Sequence, residues 1–150
     1  MPLAAIIWPT KDEQKQWVAL VQAKEPLMHG RWGFIDGKNY SVQQPNNADL
    51  QNALYNGWLH AVMVTGTLCF SADGCIVWGK HNFVGSWNDA ETSRGFQEKL
   101  SNPDKNEAGH GVVSDSAFPV KDEMFGLIMT PMKEDELERA HPDARPALFA

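Results

Sequence analysis

The stretch His60–Phe70 (HAVMVTGTLCF) limits what this chain can fold into more than any other, because it is β-branched and apolar almost throughout. SADG follows, then a second apolar run, Cys75–Lys80 (CIVWGK), so the two read as a long hairpin turning at Asp73-Gly74. Apolar text without polar alternation predicts strands covered on both faces. The fold is therefore built on a sheet, and the layers that cover it have to come from the flanking segments.

On the N-terminal side, Thr10 followed by Glu13 is a capping-box pattern, and Trp17, Val18, Leu20 and Val21 form one apolar face, which predicts a helix over 10–24. GRWGFIDGKNYSV predicts a strand that carries Asp36 at its end and breaks at Gly37. Residues Gln43–Asn56, rich in Asn and Gln, are expected to form a surface loop. GSWNDAETSRGFQEKL predicts one helix, with Ser86 or Asn88 as cap and Phe96 and Leu100 one turn apart. Two strands are expected after it: GVVSDSAFP, with Asp115 at its end, and FGLIMTP, stopped by Pro131. The expected organisation is one α/β domain over 1–150, with a leading helix at 10–24, a core over 31–132 and an irregular charged tail over 133–150.

A chain of 150 residues with 43% hydrophobic content, six Trp and seven Phe has enough apolar material for a core. Cys69 and Cys75 lack a CxxC spacing, which argues against a disulfide framework or zinc. The start has no basic leader, and no apolar run reaches the length of a membrane span, so an intracellular chain without a membrane partner is expected. The net charge of −6 argues against DNA binding by the chain alone, unless part of that charge belongs to a metal centre.

Asp36 and Asp115 are the residues that point to chemistry. Each is placed at a strand end, where α/β sheets present ligands. Two carboxylates about 4 Å apart repel by about 4 kcal/mol at an effective dielectric near 20, so a converging pair implies a cation between them. Hard oxygen donors select magnesium or manganese. The alternative is structural: Asp before Gly forms turns, and Asp-Ser after a strand caps the next segment. Asp89, in a first helical turn, is a cap by its pattern.

Several markers occur together and in order: F-I-D-G at Asp36, Y-N-G-x-x-H from Tyr55 to His60, G-S-x-x-D at Asp89 and D-S-A-F-P at Asp115. From about Trp8 to Arg139 the chain resembles the DDE superfamily endonucleases derived from Harbinger-type transposases. The resemblance implies a ribonuclease H-like fold, a mixed sheet flanked by helices, incomplete here at its C-terminus. It implies that Asp36 and Asp115 are catalytic carboxylates binding divalent metal, Mg2+ or Mn2+, with Asp89 accessory. The function it implies is two-metal hydrolysis or strand transfer on DNA, in the nucleus. The family's third carboxylate is a helical glutamate well downstream, and nothing after Met132 resembles that helix. Glu134, Asp135, Glu136 and Glu138 read as a solvated charge run. As a piece cut before the third ligand, the chain is expected to be inactive.

Lys38, His60, Lys80 and His81 are candidate DNA contacts, with solvated surface or backbone pairing as the competing roles. Arg94 belongs with the lysines as a candidate phosphate contact, and Trp32, Trp58, Trp78 and Trp87 are candidates for base stacking or for the core. Two other functions stay open: a domesticated, non-catalytic module that binds protein partners, and a metal-dependent phosphoesterase acting on small molecules, which would suit the acidic balance.

Overall fold

A computed structural model describes residues 5–85, 87, 89–115, 118 and 122–131, with only the backbone of Asp89 and Ala90. The predicted hairpin forms β3 (Ala61–Ser71) and β4 (Ile76–Val84). Its turn closes through the Gly74 N–H on the Ser71 carbonyl, 2.9 Å, and Gly74 sits at φ 86°, a conformation that glycine adopts without strain. Ahead of it, helix α1 (Lys11–Lys24) begins with the complete capping box: the Thr10 hydroxyl accepts from the Glu13 N–H, 3.3 Å, and the Glu13 carboxylate from the Thr10 N–H, 2.8 Å.

Strand β1 (Arg31–Ser41) runs beyond its predicted end. Gly37 does not break it but pairs with Thr67, inside an antiparallel ladder with β3 that extends from Gly33↔Ser71 to Ser41↔Met63. A long partner strand overrides the local turn preference of Asp-Gly. The loop expected over Gln43–Asn56 also needs correction, because it contains helix α2 (Ala48–Leu54), capped by Asn47 Oδ1 on the Leu50 N–H at 2.9 Å, and the short strand β2 (Tyr55–Asn56). The single helix expected after the hairpin is two, α3 (Asp89–Thr92) and α4 (Arg94–Ser101), parted at Ser93 with ψ near 1°. Ser86 and Asn88, the expected caps, lie outside the described residues, as do the tail from 132 onward and its acidic residues.

β5 (Gly111–Val113), a 3-10 turn at Asp122–Met124 and β6 (Ile128–Met129) complete the order. The sheet is mixed: β4, β3 and β1 are antiparallel neighbours, and β1, β5 and β6 are parallel, giving the order β4-β3-β1-β5-β6 with β2 beside β3. Helices flank it. Ile35, Cys69, Trp78, Phe96, Leu100, Val112 and Ile128 are buried in one core together with Trp32. Trp32 is the extra residue of a bulge between Arg31 and Gly33, and its ring meets Trp8 edge-on at 5.6 Å and Trp17 at 6.3 Å. This is where α1 closes onto β1.

β3 is covered less evenly than predicted. Met63, Thr65, Thr67, Cys69 and Ser71 are buried, whereas Val62, Val64, Leu68 and Phe70 are half-buried. Alternation puts these two sets on opposite faces, so one face is core and the other is only partly covered.

Candidate active site

Pairing assigns each candidate to a face. Asp36 lies opposite Leu68, and residues directly opposite in an antiparallel pair share a face, so Phe34, Asp36, Lys38 and Tyr40 stand with Leu68 and Phe70 on the partly covered side. Asp36, Lys38, Tyr40, Leu68 and Phe70 line one shallow depression there. Asp36 and Lys38 are exposed, and Phe34 and Tyr40 keep 41% and 39% of their surface, so charged and aromatic groups are accessible together. Tyr40, Leu68 and Phe70 were not singled out from sequence. Period-2 alternation from Asp36 leads to Tyr40, but only the β1–β3 register leads to the other two.

Asp115 lies just past the end of the neighbouring strand β5. In the parallel β1–β5 ladder Phe34 is opposite Val113, and Asp36 and Asp115 each follow that pair by two residues. The β5–β6 ladder continues as far as the Ser114 N–H on the Met129 carbonyl, 2.9 Å, immediately before Asp115. The two aspartates thus stand at matching positions beyond the C-terminal end of the parallel pairing, and both are exposed. Asp115 also does structural work, since its Oδ1 accepts from the Phe118 N–H at 2.9 Å. The turn-forming role and a ligand role therefore coexist in one side chain.

The other candidates are dispersed. Thr67, on the core face, shares a 2.6 Å hydroxyl–hydroxyl bond with Thr92 of α3, so α3, which Asp89 opens, packs on the face away from Asp36. Lys80 pairs with Thr67 and lies 5.4 Å from the Phe83 ring, on that same far side. His81 is exposed on β4, two strands from β1. His60 has φ 51° in the turn before β3, its Nδ1 3.3 Å from the Tyr55 hydroxyl. Of the candidate DNA contacts, Lys38 shares a face with Asp36, and so does His81, which lies beside Gly66, the partner of Lys38.

Two exposed carboxylates, Asp36 within β1 and Asp115 just past β5, are of the type that suits a hard divalent cation. Among the described residues no third acidic, His or Cys side chain joins them. The comparison with known families decides the classification: the family of DDE superfamily endonucleases matches residues 35–146. The chain belongs to this family. The match begins one residue before Asp36 and includes Asp115, so both aspartates fall within the DDE endonuclease region. No curated protein and no solved structure gave a match. Among the described residues of this DDE endonuclease domain, no helix is long and apolar enough to cross a membrane.

Proposed function

We propose that this chain is the nuclease core of a Harbinger-type, transposase-derived DNA endonuclease with a ribonuclease H-like sheet. The reading is carried by one observation: the β1–β5 register sets Asp36 and Asp115 at matching positions past the end of a parallel strand pair. The strand order, with three antiparallel strands continued by two parallel ones, supports it.

In this reading Asp36 and Asp115 hold divalent metal, magnesium or manganese, and a third ligand comes from outside the described residues. When bound, the metal supplies Lewis acidity toward the phosphodiester and lowers the pKa of attacking water. The chain's own part is to hold the two carboxylates on and just beyond neighbouring strands of one sheet. Lys38, one alternation along β1, is placed to contact a DNA phosphate on the same face. Asp89 is assigned an accessory part, His81 contacts DNA that crosses the same face toward β4, and His60 and Lys80 contact DNA only where it passes beyond that face. The nucleus is the compartment in which such an enzyme would meet its DNA.

Nicking of supercoiled plasmid with manganese tests the assignment, using the chain extended through a glutamate-bearing helix from a similar intact protein. The extended chain cuts, and either Asp36→Asn or Asp115→Asn lowers the rate by at least about a hundredfold, the loss expected when charge stabilisation at the reacting phosphate is removed. Undiminished cutting with either carboxylate replaced contradicts it. Hydrolysis of p-nitrophenyl phosphate without DNA cleavage would favour the small-molecule phosphoesterase instead.

A further inference from the structure

The β3–β4 ladder shifts register between Thr65, which faces Phe83, and Thr67, which faces Lys80, so Gly66 alone stands against both His81 and Asn82. This is a β-bulge, and Asn82 makes its left-handed step at φ 68°. Such a bulge bends its strand and re-aims a side chain. Gly66 permits it, because a Cβ there would lie 2.5 Å from the Lys80 carbonyl oxygen, 2.7 Å from His81 Cα and 2.8 Å from His81 Cβ. The bulged strand thus occupies the place that a side chain at Gly66 would take.

On its other side Gly66 pairs with Lys38, so that place lies on the face of Asp36 and Lys38. Opposed residues of an antiparallel pair hold their Cβ positions about 5 Å apart, which sets His81 Cβ within about 8 Å of Lys38 Cβ. The residue between them is a glycine, with Val64 and Leu68 next along β3 on the same face. A four-carbon lysine stem and an imidazole can close on one group across that separation. Both side chains are exposed, and among the described residues neither has a hydrogen-bond or ion-pair partner.

We propose that Lys38 and His81 grip one and the same phosphate of the DNA strand, closing on it over Gly66. The proposal rests on the nuclease reading for its substrate and adds a binding element to that site. The ammonium and an imidazole N–H supply the donors for the phosphate oxygens. Asp36, one alternation from Lys38 and about 7 Å away along β1, opposes the anion until a cation covers it. That spacing keeps the gripped phosphate apart from the one the aspartates address.

The experiment uses the whole chain in metal chelator, titrated with the thymidine dinucleotide TpT, which carries a single phosphate, or with its uncharged methylphosphonate analogue. ¹H–¹³C spectra follow the His81 ring and the Lys38 Cε methylene. TpT shifts both signals with one midpoint, and the analogue shifts neither. Lys38→Ala weakens the affinity read at His81, and His81→Ala the affinity read at Lys38, each by about twofold to fivefold, the span of exposed charge pairs. Two separate phosphate contacts would not produce that mutual dependence. A His81 signal that TpT moves no further than the analogue overturns the proposal, as does a His81 midpoint that Lys38→Ala leaves unchanged. Because no metal is present, either failure is distinct from failure of the nuclease reading, which shows as plasmid cutting that ignores Asp36.

Discussion

Trp32 takes its indole N–H into the interior and finds one acceptor, Asn106 Oδ1 at 3.2 Å, while Asn106 Nδ2 donates to the His110 carbonyl at 2.8 Å. Asn106 thus joins β1 to the loop that leads into β5. Replacing it with Ala leaves an indole N–H and a carbonyl unmet, so Asn106→Ala is expected to cost about 2–4 kcal/mol, read from the urea midpoint at unchanged slope. A loss below about 0.5 kcal/mol, the level of an ordinary surface change, would show that the pair does not hold this corner. The same scale shows what was legible in side chains. Trp32 and Trp78 are core, as aromatic size suggests, but Trp58 is 90% and Trp87 44% exposed. Trp58 is turned outward because Asn56 Oδ1 accepts from both the Trp58 and Leu59 N–H groups at 3.0 Å, a turn that composition does not disclose.

Elements whose ends are set by neighbouring residues were the readable ones. Thr10 and Glu13 name the start of α1 because both partners lie within one turn. Gly37 misled because its conformation depends on Thr67, thirty residues on, and the parting of α3 from α4 at Ser93 depends on the fold around Thr67 and Thr92. The capping box gives a pH dependence. The Thr10 backbone N–H, and then its hydroxyl, hold Glu13 below the ordinary carboxylate range. A carboxylate depressed in the folded state contributes stability above its unfolded pKa and loses it as pH falls through the lower, folded value. Glu13→Gln is therefore expected to flatten the fall in stability between about pH 5 and the folded pKa, while Thr10→Ala costs about 1 kcal/mol at neutral pH. Denaturant titrations across that range check both, and an unchanged slope in Glu13→Gln would remove the box from the account.

For the molecule as a whole, the two halves of the candidate site were legible as residues but not as a pair. Asp36 and Asp115 stood out by their text, yet only the parallel pairing of β1 with β5 gives them matching register positions, and no local pattern encodes that pairing. The tertiary fold likewise sorted Lys38 onto the face of Asp36 and Lys80 onto the other. The claim that one divalent ion can touch both strands is tested most directly by manganese titration of the ¹⁵N-labelled chain, reading the paramagnetic broadening of the Gly37 and Ser114 amides. The expected result is broadening of both signals with one midpoint, weak because two carboxylates form an incomplete oxygen cage, and its loss at both in Asp36→Ala. Broadening at only one of the two strands, or at both but unaffected by Asp36→Ala, would contradict a shared site.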